Sequence, residues 1–512
     1  MPFLQRFTNG QPSFIRFSHH KSIKVIRLGY NQYCRQPHSA ARCLTTKSSK
    51  SFTRTHPSAQ NQHEHHQQRP GFFTPFFSRH NDKEHAKFIR STANDASSLP
   101  NEPTRTKMLV RDFIDNSLHH PNYGYFSKQA ALFSPEVNFD FLSMRDHREF
   151  MNILGKMYIR MENEPDEVNG IRSRQVWHSP TELFKPWYGH AIAKYMVSEY
   201  KLNLYPHKDL IIYEIGAGNG TLMMNILDYI KEHEPSVYKR TQYNIIETST
   251  KLAQIQSERQ DIQEAKDKHA CVKISNKSIF DWDTYVPEQC FFLGMEVIDN
   301  FAHDLIRYDL ETMEPFQALV SIDDQGDYTE MYEPVGNDPV IAQYLGMRKQ
   351  THYRSPVLSS RVWHRFLGSL PIAPNMTAPE YIPTKLFLFL DILKQYFPHH
   401  RLVLSDFASV PDPIEGVDGP AVQTKYRGST VPCSTYLVQP GWFDIFFPTN
   451  FELLREIYLL VCRGSRAGNQ KSVRILTHRN FCERYGEIEM TTTRSGENPM
   501  LMYHRNMKML LT

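Results

Sequence analysis

Asp209-Leu-Ile-Ile-Tyr-Glu-Ile-Gly-Ala-Gly-Asn-Gly220 carries an apolar run, Leu210 to Tyr213, into an acid, Glu214, and three glycines spaced two apart, Gly216, Gly218 and Gly220. The next segment, Thr221-Leu-Met-Met-Asn-Ile-Leu-Asp-Tyr-Ile230, is periodic and reads as a helix. Strand, tight glycine turn and helix in this order open a nucleotide-binding α/β unit. Glycine fits the turn because a ligand must touch bare backbone there, in a conformation that a Cβ would strain. The spacing separates the candidates. A G-x-G-x-x-G dinucleotide fingerprint would place its last glycine at position 221, which is Thr221, and no Lys-Ser/Thr pair follows to complete a Walker loop.

E-x-G-x-G-x-G instead resembles the first motif of class I S-adenosylmethionine (SAM) methyltransferases, which implies SAM as the cofactor. A second apolar strand, Tyr243-Asn-Ile-Ile-Glu247, ends in an acid about thirty residues beyond the first glycine, where a βαβ unit places a carboxylate for ribose hydroxyls. Two neighbouring hydroxyls and one carboxylate form a bidentate, charge-assisted pair, so Glu247 fits that role. Cys271 to Ser275 reads as a third strand. Ser278-Ile-Phe-Asp281-Trp282 follows it, where the resemblance places an acid and an apolar side chain around an adenine; a core position is the other reading of Trp282. A fourth strand ends at Leu293, and Glu296, Asp299 and Asp304 lie beyond it. In an open α/β sheet the ligand lies beyond the strand carboxyl ends, so these three acids are candidates for the substrate pocket. The expected fold class is α/β: a Rossmann-like class I SAM-dependent methyltransferase sheet with helical N-terminal elements and an inserted subdomain.

The amino terminus has a different chemistry. The first acidic residue is Glu64, and Arg6, Arg16, Lys21, Lys24, Arg27, Arg35, Arg42, Lys47 and Lys50 precede it, interleaved with Phe, Ile, Ser and Thr. A basic, acid-free leader without an uninterrupted apolar core describes a mitochondrial transit peptide, with processing expected within Ala40 to Thr45; a basic arm for nucleic acid is the competing reading. Matrix localisation follows from the first. His63, His65 and His66 lie in polar low-complexity sequence, read as linker and not as a metal site. The net charge of +4 is inflated by the leader and gives no case for a nucleic-acid partner. Seven cysteines include no C-x-x-C pair, which argues against structural zinc and a disulfide framework. No apolar run is long enough to span a bilayer.

The expected organisation is a transit peptide over 1–45, a disordered linker over 46–103, an N-terminal helical region over 104–200, a SAM-binding core over 201–304, an insertion over 305–380 and a C-terminal completion of the core over 381–512. Met108 to Leu118 carries one apolar helix stripe. Ser179-Pro-Thr-Glu182 reads as a helix start, with proline early and an acid in the first turn. Helix is expected over Tyr381 to Tyr396 and Phe451 to Val461, strand over His400 to Phe407, and a closing pair of strands over Lys471 to Leu476 and Met500 to Tyr503.

Several motifs in one order resemble the mitochondrial complex I assembly factor family of protein arginine methyltransferases, the MidA type. They are Phe113 with His120-Pro-Asn-Tyr-Gly-Tyr125, Ser179 to Glu182 with Tyr188-Gly189, Glu214 to Leu222, Glu296 with Asp299, Asp406, Thr424 to Gly428, and Gln439-Pro-Gly441 with Asp444. The resemblance implies SAM held by Ser179, Glu182, Glu214, Gly216, Gly218, Gly220, Glu247 and Asp281. It also implies arginine methylation in complex I assembly, on a mitochondrial protein such as a complex I core subunit. A guanidinium is cationic at all working pH values, so carboxylates are needed to orient it; Glu296 and Asp299 are the catalytic candidates, and no metal is expected. The family's G-D-F before S-P-E is absent here, Met295 stands where Asn is usual, and Ala302-His303 replaces Leu-Pro. These departures flank the substrate side and leave two alternatives: a methyltransferase-like assembly protein with a non-catalytic SAM pocket, or a methyltransferase for another mitochondrial protein.

Overall fold

The computed structural model describes residue 85 and residues 87–512 apart from 129, 133–134, 136, 164–174, 248–267, 360–374, 427–428 and 463–471. The expected transit peptide, its processing region and the histidine-bearing stretch at 63–66 lie outside these residues.

Seven strands form the central sheet: β1 Leu210–Ile215, β2 Thr241–Glu247, β3 Val272–Asn276, β4 Cys290–Met295, β5 His400–Phe407, β6 Arg474–Thr477 and β7 Met507–Leu511. Their spatial order is β3-β2-β1-β4-β5-β7-β6. The strands from β3 to β5 run parallel, β7 runs antiparallel to β5, and β6 antiparallel to β7. The order reverses between β1 and β4, and in such sheets the ligand crevice opens beyond the carboxyl ends at that switch. The glycine turn leaves β1 and the acids leave β4, so both motifs flank the crevice.

A central parallel strand covered on both faces reads as an unbroken apolar run, and all six residues of β4 are buried. Phe291, Leu293 and Met295 enter one core while Cys290 and Phe292 enter the other. Six helices matter here: α1 Val110–His119, α2 Trp187–Asn203, α3 Thr221–His233, α4 Thr384–Tyr396, α5 Phe451–Cys462 and α6 His478–Tyr485. Helices α2, α3 and α6 close the first core and α4 and α5 the second. Helix α5 shows why: Phe451, Leu454, Tyr458 and Val461 recur at three- and four-residue spacing and are buried. Each such side chain stabilises the fold by about 1.5–3 kcal/mol.

A second sheet holds Ile89–Arg90, Thr106–Leu109, Asp304–Tyr308, Pro315–Ile322, Tyr328–Pro334 and Glu380–Ile382. Thr106–Leu109 pairs antiparallel with the end of Pro315–Ile322. Met108 and Leu109, read from periodicity as helix, are therefore strand, and α1 begins at Val110. Ile89–Arg90 pairs with Thr106 and Lys107, and Thr92 caps a helical turn at Ala93–Ala96, so regular structure starts inside the stretch expected as linker. A small third sheet joins Ala421–Tyr426 to Ser429–Cys433 and Asp444–Phe446.

Two further expectations are corrected. Pro499–Tyr503 is a helix, capped by the Asn498 side chain with proline in its first turn, and the closing strand is β7. Tyr381 lies on a short strand, and α4 starts only after Pro383. No helix among the described residues is long and apolar enough to cross a membrane.

Candidate active site

The three glycines of the turn all take positive φ: +66° at Gly216, +54° at Gly218 and +77° at Gly220. A Cβ on Gly216 would lie 2.6 Å from a Val297 methyl, so the turn closes on the β4 exit only because that atom is absent. A buried carboxylate braces the turn from the side. The Ser179 hydroxyl accepts from Glu182 N at 3.2 Å and caps Pro180–Leu183, which aims Glu182 inward. Glu182 Oε1 accepts from Asn219 Nδ2 at 3.1 Å and Thr221 Oγ1 at 2.7 Å, and Oε2 from Lys185 Nζ at 3.3 Å. Ser179 and Glu182 thus meet the glycine turn, one as the cap and the other as the brace.

Glu214 and Glu247 sit at or near the carboxyl ends of β1 and β2, both buried. Tyr243 Oη donates to Glu214 at 2.8 Å. Burial pushes the Glu214 carboxyl up to about 7, against that hydrogen bond and with a further push from Glu247. Asp281 is exposed, at the end of the short turn Ile279–Asp281 that follows β3. Trp282 is half-buried and packs against the core: its ring meets Tyr213 at 6.1 Å and Phe397 at 5.2 Å, and Nε1 donates to Thr284 O at 2.6 Å.

Beyond β4 the chain makes a sharp departure. Glu296 has φ +54°, a left-handed conformation in a residue that is not glycine. Its N–H donates to Ser405 O on β5 at 2.8 Å. Glu296 Oε1 and Asp299 Oδ1 are closed off from solvent with no hydrogen-bond partner among the described residues. Asp406, at the end of β5, accepts from Ile298 N at 2.9 Å and Asp299 N at 3.1 Å. Asp444, on the third sheet, accepts from Asn300 Nδ2 at 3.2 Å, and Phe447 N donates to Asp299 O at 2.8 Å.

Four carboxylates therefore converge without a counter-charge among the described residues, and none of them draws stabilisation from a neighbouring cation there. Burial is the first cause of the shift in each, and like charges reinforce it at three of them: Glu296 and Asp406 are driven well above the carboxylate range and Asp444 to about 8, while burial, opposed only by backbone N–H donors, puts Asp299 at about 7. Tyr188 Oη closes the far side, 3.3 Å from Ser405 Oγ. Asp304, also expected at the pocket, is corrected: it is the first residue of a second-sheet strand and is bound to Arg111 at 2.8 Å and Thr384 Oγ1 at 2.6 Å. Asp406 and Asp444 complete the cluster in its place. Their signals in the sequence were faint: a single acid ending an apolar strand, and another three residues after Pro-Gly441. Among the described residues no group of His, Cys, Asp or Glu is arranged to hold a metal ion.

A doubly wound sheet with a glycine turn at its switch point is the architecture of Rossmann-like, SAM-dependent methyltransferases. Residues 191–467, more than half of the chain, match the model of a family described as "putative S-adenosyl-L-methionine-dependent methyltransferase", and the chain belongs to that family. Its cofactor is SAM. The chain is 25% identical over 371 residues to the mitochondrial protein arginine methyltransferase NDUFAF7 homolog of Schizosaccharomyces pombe, covering 69% of this chain and 76% of that one. Among solved structures it is similar to a Burkholderia thailandensis protein crystallised with S-adenosyl-homocysteine, at 14% identity, TM-score 0.48 and coverage of 79% and 87%. It is also similar to a native Burkholderia thailandensis crystal structure, at 13% identity, TM-score 0.47 and the same coverage.

Proposed function

We propose that this chain is a mitochondrial matrix protein arginine methyltransferase that supports assembly of respiratory complex I by modifying a mitochondrial protein, a complex I core subunit being the first candidate. The observation that carries the arginine reading is the cluster of Glu296, Asp299, Asp406 and Asp444 beside the glycine turn, with no cation of their own among the described residues. Buried carboxylates without a counter-ion favour a cationic ligand, since pairing removes most of the cost of ionising them. A guanidinium offers planar donors that match carboxylate geometry. The S. pombe relative's name, with its mitochondrial arginine methyltransferase activity, supports the same substrate class.

The residues that would hold SAM are the backbone of Gly216, Gly218 and Gly220, with Glu247 at its ribose and Glu214 behind the turn; the missing Cβ at Gly216 and the positive φ angles fit that use. Ser179 and Glu182 hold the turn in place, and Asp281, exposed after β3, would meet the adenine. SAM supplies an electrophilic methyl group on a sulfonium. Glu296 and Asp299 orient the guanidinium so that one nitrogen faces that group, which is catalysis by positioning and charge. Replacing an N–H by N–CH3 leaves a proton to be taken up, and Asp299 Oδ1, without another partner among the described residues, would accept it.

The test is transfer from isotopically labelled SAM by the full chain lacking its leader, with mitochondrial extract and arginine peptides as acceptors. Label recovered as methylarginine is expected. Label on another residue type, or SAM binding with no transfer to any protein, overturns the arginine assignment. The second outcome would favour a non-catalytic assembly role, which the substitutions at Met295 and Ala302-His303 beside the pocket make the reading to exclude.

A further inference from the structure

We propose that Asp406 is a positioning residue for methyl transfer: its carboxylate holds the turn after β4 so that Glu296 and Asp299 face the reacting centre. This rests on the reading of those two acids as the substrate clamp. The residue has no exposed surface and lies at the end of β5, parallel to β4 in the sheet. One oxygen, Oδ2, accepts from two successive backbone N–H groups, Ile298 at 2.9 Å and Asp299 at 3.1 Å, and the other, Oδ1, accepts from Phe407 N at 2.7 Å. Residues 298–300 form the one short helical turn of this loop, and no side chain of the loop itself caps it. Asp406 therefore does from the neighbouring strand what a cap does locally, satisfying two N–H groups that would otherwise be buried without acceptors.

The geometry has a consequence for Glu296. Its N–H is fixed to Ser405 O, and its carbonyl end is fixed by the turn that Asp406 pins, so the left-handed backbone is held from both sides. A strained conformation of this kind persists only when the surroundings over-determine it. Without the pin, Glu296 can relax to an ordinary backbone and its carboxylate leaves the crevice. An acid that costs burial and repels its neighbours indicates that something other than packing selects it.

Charge couples the two residues as well. The groups facing Glu296 are Asp406 from β5, Asp299 from the turn, Glu182 from the brace and Tyr188 from α2. After burial, Asp406 is the next cause that raises Glu296, so its replacement shifts Glu296 ionisation to lower pH.

The test uses Asp406→Asn in the full chain without its leader. The amide keeps the shape but turns one acceptor into a donor, which opposes the N–H groups it faces. SAM affinity by calorimetry should stay within about twofold, because the glycine turn is untouched, while kcat with an arginine peptide falls about ten- to a hundredfold. The acidic limb of the kcat/KM profile should move to lower pH, which loss of packing alone would not produce. Amide hydrogen exchange, read without any acceptor substrate, should accelerate at Ile298 and Asp299. Wild-type kcat, or an unchanged pH profile with unchanged exchange, overturns the proposal. If wild type transfers to no arginine while exchange in the variant accelerates, the pin stands and the substrate reading fails.

Discussion

Two regions of this molecule bury carboxylates, and they treat them in opposite ways. In the second sheet and its flanking helices three buried acids have a guanidinium: Arg348 meets Glu380 at 2.8 Å, and Arg111 bridges Asp304 at 2.8 Å and Asp338 at 2.5 Å. Tyr308 Oη joins the first pair and Thr384 the second. At the carboxyl ends of β4 and β5, Asp299 and Asp406 are buried and Glu296 turns one closed-off oxygen toward them, and the three have backbone N–H groups and each other. A paired buried acid holds elements together. An unpaired cluster lowers stability and persists where a ligand completes it.

The comparison breaks first at Arg348. Substitution to Met leaves Glu380 buried without its cation, and unfolding in denaturant should show a loss of about 3–5 kcal/mol. An unchanged midpoint would mean that the pair is not structural and that the contrast between the regions is false.

Next comes the wall that the two regions do not share. Gly216→Val places carbon against Val297 at a backbone angle costing about 1–3 kcal/mol for a side-chain residue. Calorimetric binding of SAM should be lost while circular dichroism keeps the wild-type fold; wild-type affinity would remove the glycine turn from the cofactor site.

At the unpaired acids the expected pattern inverts that of Arg348. Glu296→Gln and Asp299→Asn should keep SAM affinity and leave the fold as stable or more stable, yet slow transfer about ten- to a hundredfold, the worth of one charge-assisted hydrogen bond. Loss of SAM affinity alongside activity would place these acids at the cofactor instead.

The smallest effect is in pH. Burial favours the protonated form of Asp299 and Asp444 in the folded chain, at about 7 and about 8. Their contribution to stability is complete below the unfolded carboxylate value of about 4 and is lost as pH rises through the folded values. Histidines lowered by burial, such as His178 and His478 at about 4, act in the other sense but only below about pH 6.5, so the window from there to about 8.5 isolates the acids. Across it the wild-type Tm should fall by a few degrees, and that of Asp299→Asn by less. Parallel curves would show that Asp299 is already ionised in the free protein.

Much of this was readable in the chain itself. The glycine spacing excluded dinucleotide and Walker ligands, and the apolar runs of β1, β2, β4 and β5 located the parallel sheet, because a strand buried on both faces needs unbroken apolar sequence. The short pieces were not readable. Thr106–Leu109 follows the periodicity of the helix behind it, and only pairing with Pro315–Ile322 makes it a strand. Met500 to Tyr503 looks like a strand until the Asn498 side chain is seen capping a helix that starts at Pro499.

The sequence by itself determined the chemistry available at the crevice: glycines where backbone must be bare, and acids after the fourth strand. Which acids act together was decided only by tertiary structure. Asp304 is five residues from Asp299 along the chain, yet its carboxylate is taken up by Arg111, while Asp406 and Asp444 arrive from more than a hundred residues away. The physical reason is that a carboxylate's state is set by what surrounds it in space. Partners, burial and neighbouring charge have no fixed address in the order of the residues.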